Sequence, residues 1–451
     1  MPQSPPMVPI SDANPFGTSS SIGSLTKPLF RSTLINPESV KDKVKWKDTK
    51  AGKKAMLWDR LSFMSTLTIG ILGAAALIVV VYLDRPTEKY CLVMEENFDT
   101  LDSSVWTNEV QVGDNYGYNT FQMMTNSANN SFVEDGVLYI VPTLTSDNLG
   151  TEAITNAATV NMTFGSTWGT CTTVAAKTTE AGITGEDPCY AHSNSSLGYV
   201  LPSVQSAHLT TKLSKSIQFG RVEISARMPT GDWIWPRISL MPKNNVYGSW
   251  PASGEIDIVQ SRGNAVTSRS DDNVNAINGE LLWGVDSTHW TTSGLTKSII
   301  RNYFNSKFYS FGVDWTKKKV FTWKDKRSRQ VLSFDWSSNL WKQGNFANTD
   351  RSATNPWDST NPEIVQASAA PFDQDFYLDL SVRVGGTSGY FGDNSDKPWA
   401  NTNSAEEAAT AFWADKANWY ATWPTDVKKR ALAIDSIKLY RLLGAGESCS
   451  A

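Results

Sequence analysis

Two kinds of hydrophobic pattern divide the chain. Residues 62–83 form an uncharged run dominated by apolar side chains, long enough to cross a bilayer as an α-helix at about 1.5 Å per residue. After this run, apolar and polar positions alternate over many short stretches, which is typical of strands with one buried face. The pattern therefore predicts a transmembrane helix followed by an all-β sandwich domain.

The alternating runs locate the strands of the predicted sandwich. The clearest runs are residues 137–142, 206–211, 220–228, 237–241, 254–259, 308–315, 320–323, 376–386 and 431–440. Residues 405–419 are rich in alanine and contain neither proline nor glycine, so they are the best candidate for a soluble helix. Residues 145–200 are rich in threonine, asparagine and serine, and they predict an inserted surface loop.

The chain before the apolar run has a different composition. Residues 1–40 are rich in proline, serine, threonine and asparagine with little hydrophobic periodicity, which predicts a disordered tail. Lysines dominate the charges from residue 41 to residue 60, so the tail, residues 1–61, becomes basic beside the apolar run. This bias predicts that the tail is cytosolic and that the remainder of the chain is lumenal or extracellular.

The position of the apolar run distinguishes an anchor from a cleaved signal peptide. A cleaved signal lies within roughly the first 15 to 30 residues and ends at a small-residue site. This run begins after about sixty residues and leads into Asp84, Arg85 and Pro86. We therefore expect an uncleaved anchor and a single-pass type II membrane protein of the secretory pathway or plasma membrane.

Cysteines and glycosylation sequons both fit an oxidising lumen. All four cysteines follow the apolar run, and four cysteines allow three pairings. We prefer Cys91 with Cys449, because antiparallel sandwiches often bring their termini together, and Cys171 with Cys189, which would close a local loop. Sequons that predict lumenal glycosylation begin at Asn129, Asn161 and Asn194.

Composition argues against several classes of partner. The formal net charge is −4, with 40% hydrophobic and 19% charged residues, and no nucleic-acid-binding signature accompanies it. Because no close cysteine pair or histidine cluster is visible, we expect neither a metal site nor a cofactor.

Candidate chemistry lies on one predicted strand, residues 254–259. Side chains at positions i and i+2 of a strand share a face, so Glu255 and Asp257 point together while the isoleucines that alternate with them point into the core. Gln260 is out of phase with these carboxylates by one position. Only a β-bulge, which re-aims a side chain, would return Gln260 to their face.

This strand resembles the catalytic strand of glycoside hydrolase family 16, the laminarinase-like glucanases, whose pattern is Glu-x-Asp-x-x-Glu. Glu255, Asp257 and Gln260 occupy its three positions. The other blocks that carry the resemblance are residues 220–223, 231–236, 312–315, 384–386 and 434–438, so it spans about residues 91–449. It implies a concanavalin-like β-jelly roll with a sugar-binding cleft on its concave face. The anchor and tail resemble fungal members related to proteins associated with cell-wall β-glucan synthesis.

The resemblance implies a role for each of the three positions. Glu255 would be the nucleophile of a retaining double displacement, Asp257 would assist it, and the last glutamate would be the general acid/base. Gln260 replaces that glutamate, and an amide cannot exchange a proton at neutral pH. General acid/base catalysis contributes on the order of 10²- to 10⁴-fold. We therefore expect a β-1,3-glucan-active hydrolase with impaired turnover or, as the alternative, an inactive glucan-binding pseudoenzyme in cell-wall assembly.

Departures from the family pattern cluster around the same cleft. The family block Trp-Pro-Ala-x-Trp reads Trp235-Pro236-Arg237-Ile238-Ser239 here, and Leu282 stands where a histidine usually precedes the tryptophan of the next strand. Polar or charged side chains also replace family residues at Asp379, Ser381 and Arg383. Several departures around one reaction centre indicate relaxed or altered chemistry.

Sugar contacts are expected beside the carboxylates. The chain has 18 tryptophans, of which most are expected in the core and the rest as flat platforms for sugar rings. Core packing is the alternative for Trp235. Strand alternation would put Glu280 on the face of Leu282, where it would supply the missing proton, although a solvated strand residue is the simpler interpretation. The expected sugar-contacting residues are Trp235, Trp250, Trp283 and Glu280.

Overall fold

The computed structural model of the chain describes residues 46–83, 88–113, 117–163, 168–173, 188–265, 273–300, 302–336, 338–346, 354–358, 369–393, 397–444 and 446–449. Most of the tail that the sequence predicts to be disordered therefore lies outside the described residues. The chain divides into two units, Met1–Thr87 and Glu88–Ala451.

The first unit is built around one helix, α1, which spans Lys50–Leu83. Thr49 caps its start, because the threonine hydroxyl accepts a hydrogen bond from the Gly52 amide at 3.0 Å. Hydroxyl groups inside the helix donate to carbonyls three or four residues earlier, which satisfies those donors within the helix. The helix is long and apolar enough to cross a membrane. It starts before residue 62 because the lysine, alanine, methionine and leucine residues upstream also favour helix.

The second unit consists mainly of β-strands. The first twelve, in chain order, are β1 Tyr90–Glu96, β2 Thr107–Asn108, β3 Gln111–Val112, β4 Gln122–Met124, β5 Ser131–Glu134, β6 Val137–Ile140, β7 Thr143–Leu144, β8 Thr159–Asn161, β9 Tyr190–His192, β10 Val204–Ser206, β11 His208–Thr210 and β12 Ser216–Ile217. The next ten are β13 Gly220–Arg227, β14 Ile234–Pro242, β15 Glu255–Ser261, β16 Ala276–Asp286, β17 His289–Ser298, β18 Tyr309–Trp315, β19 Lys319–Lys324, β20 Lys326–Asp335, β21 Phe376–Val384 and β22 Leu432–Leu442. Short helices span Ser146–Leu149, Thr151–Thr155, Leu340–Gln343, Ala405–Ala414 and Lys416–Trp419.

Two large antiparallel sheets form a sandwich. The site sheet has the order β17-β16-β15-β14-β21-β11-β2, with β12 paired to β21, and the opposite sheet has the order β20-β19-β18-β13-β22-β6-β5, with β1 paired to β22. Burial alternates along β13, so Val222 and Ile224 face the core that the two sheets share. Trp315, Phe372 and Phe376 fill the same core. The predicted all-β sandwich is confirmed.

Alternation of apolar and polar residues does not reveal β17 and β20, the strands at one end of each large sheet. Every residue of β17 is partly or fully exposed, so no buried face produces a period of two in its sequence. Strand β20 likewise begins with five residues that all retain exposure. The predicted helix at 405–419 is two helices, because the chain leaves helical geometry at Asp415.

The predicted insertion at residues 145–200 is a small packed unit in its described part, not simply a surface loop. It contains two short helices and the antiparallel pair β8-β9. A separate hydrophobic cluster holds it together, consisting of Val110, Met123, Ile154, Val160, Met162 and Leu201.

Two disulfides constrain the second unit. Cys91 on β1 is bonded to Cys449 near the end of the chain, and Cys171 is bonded to Cys189 within the insertion. These are the pairs that the sequence favours. The first closes a sequence separation of 358 residues and the second a separation of 18.

Removing the long-range disulfide is expected to cost more stability than removing the local one. In the chain-entropy model, the loss of unfolding free energy is about 6 kcal/mol for Cys91→Ser with Cys449→Ser and about 3 kcal/mol for Cys171→Ser with Cys189→Ser. Urea unfolding followed by tryptophan fluorescence measures both. A larger loss for the local pair would contradict the entropic account.

Candidate functional site

A β-bulge brings the three family positions onto one face of β15. Across β14, Asp257 lies opposite Ser239 and Val259 lies opposite Ile238, so Ile258 has no partner in the register. The register on β16 shifts at the same place. The Gln260 amide nitrogen consequently donates to the Asp257 carboxylate at 2.7 Å. The bulge expected from the sequence is therefore present.

Glu255 is buried, and its carboxylate interacts with three donor side chains. The indole nitrogen of Trp250 donates to its carboxylate at 2.8 Å, and the hydroxyl of Tyr118 donates at 3.2 Å. The guanidinium of Arg237, on β14, forms an ion pair with the same carboxylate. The side chain proposed as nucleophile is thus engaged by protein groups and has no exposed surface.

Arg237 joins both carboxylates of the strand. Its Nε donates to Asp257 at 2.6 Å while its other end meets Glu255, and all three side chains are buried. Burial alone would lower the pKa of Arg237, but Asp257 beside it raises the pKa well above the ordinary value. Its Nη1 atom has no hydrogen-bond partner among the described residues. Arg237 therefore stays charged and neutralises much of the negative charge at the centre of the site.

Gln260 is fixed by three hydrogen bonds. Its amide nitrogen donates to Asp257 and, at 3.1 Å, to Glu280, and its carbonyl accepts from the indole of Trp235 at 2.7 Å. Burial raises the pKa of Glu280, and the charge of Asp257 raises it further. Glu280 lies opposite Asp257 on β16 and is partly buried, so the simpler interpretation of it as a solvated strand residue is wrong.

A second buried ion cluster continues across the sheet. Asp379 on β21 pairs with His208 on β11 and accepts from the Ser239 hydroxyl at 3.4 Å. Burial would lower the pKa of His208, but the charge and hydrogen bond of Asp379 raise it above its ordinary value. The Arg383 guanidinium lies 4.6 Å from the ring centroid of Tyr118, as a buried cation over an aromatic face. The departures noted at 379 and 383 thus belong to one polar network.

A cavity of about 260 Å³ opens beside these groups. Asp257, Gln260 and Glu280 are among its polar lining residues, together with Asn278 and Thr292. Tyr118, Arg262, Trp290 and Tyr390 line it as well, and sequence pattern did not identify them because they lie in irregular segments or on an edge strand.

The three predicted sugar-binding tryptophans have different surroundings. Trp235 lines the cavity but is only 2% exposed, because the Tyr390 ring is stacked on it at 4.0 Å and 8°. Core packing, the alternative for this residue, therefore describes its surroundings better than an open platform for a sugar ring. Trp250 is partly buried, and its ring centroid lies 6.1 Å from that of Trp290. The prediction that Trp283 contacts sugar is wrong, because this side chain is 2% exposed and its indole donates to the Leu340 carbonyl inside the core. Alternation along β16 turns it away from the face of Glu280.

Removing the charge of Arg237 is expected to destabilise the folded protein. Arg237→Leu is expected to lower the unfolding free energy by about 3–5 kcal/mol, because it leaves two buried carboxylates without their cation. The loss should be smaller at acidic pH. In the variant, burial without a cation raises the folded-state pKa of these two carboxyls above the unfolded-state value. The variant therefore keeps its stability at low pH, where the carboxyls are protonated, and loses it as the pH rises. Urea unfolding at neutral and acidic pH measures the effect.

The matched control removes all three charges together. Arg237→Leu combined with Glu255→Gln and Asp257→Asn is expected to recover most of the lost stability, since no unpaired charge remains buried. Equal stability of the single variant and the wild type would show that the ion pairs do not stabilise the site.

Comparisons with known proteins identify the family of the chain. No family model matches the chain. The β-1,3-glucan-binding protein of Penaeus monodon is 31% identical over 404 residues, covering 84% of this chain and 98% of that protein. A glucan endo-1,3-β-glucosidase of Cryptopygus antarcticus is 28% identical over 214 residues, covering 48% of this chain and 67% of that protein. The solved laminarinase of Rhodothermus marinus is 20% identical and covers 79% of this chain and 100% of its own, with a TM-score of 0.46.

With a 31% identical relative matched over almost its whole length and the Glu-x-Asp strand in place, the chain belongs to the laminarinase-like glycoside hydrolase family 16, which includes β-1,3-glucan-binding proteins.

Proposed function

We propose that the chain binds β-1,3-glucan and turns it over slowly or not at all. The observation that carries this proposal is the position of Arg237, buried between Glu255 and Asp257. A retaining glycosidase needs a carboxylate that can attack the anomeric carbon and a second carboxyl that protonates the leaving oxygen. Here the first carboxylate is held by a cation and two further donors, and an amide occupies the position of the second.

The cavity retains the chemistry of sugar binding. Sugar hydroxyls both donate and accept hydrogen bonds, and Glu280 and Asn278, which line the cavity and retain partial exposure, present a carboxyl and an amide group to it. The exposed ring of Trp290 supplies an apolar surface of the kind on which sugar rings pack. The Penaeus monodon relative bears the name of a β-1,3-glucan-binding protein, which supports the same assignment of ligand.

Slow hydrolysis with Glu280 as proton donor is the second candidate. Glu280 lines the cavity, and its raised pKa lets it keep a proton at a higher pH than an ordinary glutamate does. This route still requires Glu255 to leave Arg237, so we rank it below binding without turnover.

Purified full-length protein should distinguish these functions. We expect wild type to bind laminarin without releasing reducing ends. Gln260→Glu alone should stay inactive because Arg237 still holds Glu255, whereas Gln260→Glu with Arg237→Ala should gain cleavage by restoring the family residues. Binding is followed by calorimetry, cleavage by a reducing-end assay and folding by thermal unfolding. Wild-type cleavage that Glu280→Gln abolishes would favour the slow hydrolase, and an absence of binding would contradict both functions.

We also propose that α1 anchors the protein with residues 1–61 in the cytosol and the glucan-binding unit in the lumen or outside the cell. The apolar length of α1, the lysines before it and the two disulfides support this orientation. In a cell that builds a β-glucan wall, this orientation would bring the site to the glucan during wall assembly.

Glycosylation tests the orientation. The sequon side chains Asn129 and Asn161 are exposed and Asn194 is partly exposed, so a lumenal unit is expected to carry N-linked glycans. Glycosidase treatment should increase gel mobility of the wild type and leave a triple Asn→Gln variant unchanged. Accessibility of the tail, but not of the folded unit, to protease added to sealed microsomes provides the second readout. Digestion of the folded unit under these conditions would reverse the proposed orientation.

A further inference from the structure

One side of the cavity ends at a wall formed by Tyr118. This side chain is only 7% exposed, and its ring centroid lies 5.4 Å from that of Trp235 and 5.5 Å from that of Trp250. Its hydroxyl donates to Glu255, and Arg383 packs against its ring. Tyr118 is therefore fixed by contacts on several sides.

Backbone hydrogen bonds fasten the segment that carries this wall to the end of β21. The Phe121 amide donates to the Val384 carbonyl at 2.9 Å, and the Val384 amide donates to the Gln122 side chain at 2.8 Å. The Thr387 amide donates to the Tyr118 carbonyl at 3.1 Å. Residues 118–122 thus form a fixed boundary of the cavity.

Behind this boundary, the polar face of the site sheet is closed. Strand register places Gln260, Arg237 and Ser381 in one row across β15, β14 and β21, and His208 continues that row on β11. The side chains that β21 and β11 contribute to this face are all buried, namely Asp379, Ser381, Arg383, His208 and Thr210. A ligand that enters the cavity therefore cannot continue across β21.

A second wall stands over Trp235. Tyr390 is stacked on the indole, and the Arg262 guanidinium lies 4.0 Å from the Tyr390 ring centroid. The Nε of Arg262 also donates to the Tyr390 carbonyl at 3.0 Å, so the stack is tied to the backbone. Arg262 and Tyr390 therefore line the cavity beside Trp235.

The cavity is accessible from β16 and β17. Trp290 is 37% exposed, Thr292 is exposed, and Asn278 and Glu280 retain partial exposure. All four line the cavity. The described residues therefore form a pocket with a closed inner end at Tyr118 and an open outer edge at Trp290.

We infer that this pocket receives the end of a β-1,3-glucan chain, with the terminal glucosyl unit against Tyr118 and the following units leaving over Trp290. The inference rests on the proposed function and specifies the part of the glucan that the site recognises. An internal stretch of polymer has to leave a site in two directions, whereas this pocket offers one. The partly exposed side chains of Glu280 and Asn278 line the pocket and supply hydrogen-bonding groups for the hydroxyls of the glucan.

Binding stoichiometry tests the inference with the full-length protein in detergent micelles. Calorimetric titration with laminaribiose through laminariheptaose, and with laminarin fractions of increasing length, should give one bound protein per glucan chain at every length. Affinity should stop rising after the short oligosaccharides. A number of bound proteins that grows with chain length would overturn end recognition while leaving glucan binding intact. If no glucan binds, the proposed function itself fails, and end recognition fails with it.

Substitution at the outer edge tests the direction in which the glucan leaves. Trp290→Ala is expected to weaken binding of laminaritriose by about tenfold through the loss of aromatic packing. Leu295→Ala is the matched control, because Leu295 is 53% exposed on the same strand and five positions away, which puts it on the other face. Equal affinities for the Trp290→Ala variant and the wild type would overturn the assigned path.

Discussion

The buried ion cluster of Arg237 with Glu255 and Asp257 is the constraint on which the site depends. Charges without exposure are costly, and they are tolerated only where partners satisfy them. Each neighbouring group fulfils this requirement: Tyr118 and Trp250 donate to Glu255, and Gln260 donates to Asp257. The carboxylates that would do chemistry in a family 16 glycosidase serve here as acceptors in a closed hydrogen-bond network.

Arg237 and Gln260 are coupled through this network. A glutamate at position 260 would point its carboxylate at Asp257 and Glu280, and like charges at such distances oppose one another. Glutamine instead donates to both carboxyls and accepts from Trp235. The bulge at Ile258 makes this possible, since without it position 260 would face the core. The amide at 260 is thus suited to its present neighbours, and restoring one family residue alone would leave the other in conflict with the site.

Sequence pattern predicted the sandwich because many of its strands bury one face, and it predicted the strand that carries Glu255 because acidic and aliphatic residues alternate there. The sequence also showed that only a bulge would bring Gln260 to the carboxylate face, and the structure contains that bulge. Pattern could not reveal that Arg237 bridges two carboxylates, because alternation gives the face of a residue and not the reach of its side chain. Tyr118 escaped notice because it lies in a segment without periodicity. The burial of Trp283, in contrast, was readable from its odd spacing to Glu280.

Loss of turnover and retention of binding are compatible because they depend on different groups. Catalysis requires interactions that strengthen only in the transition state, such as attack by Glu255 and proton transfer at position 260. Ground-state binding depends on the shape of the pocket and on hydrogen bonds that an amide or a protonated carboxyl forms as well as a carboxylate does. Arg237 affects the groups needed for catalysis, because it forms an ion pair with Glu255. Its own side chain is buried, so it is not part of the surface that a sugar would touch. Under the proposed function, Glu255 stays charged but is held by Arg237, while the walls of the pocket still bind the glucan.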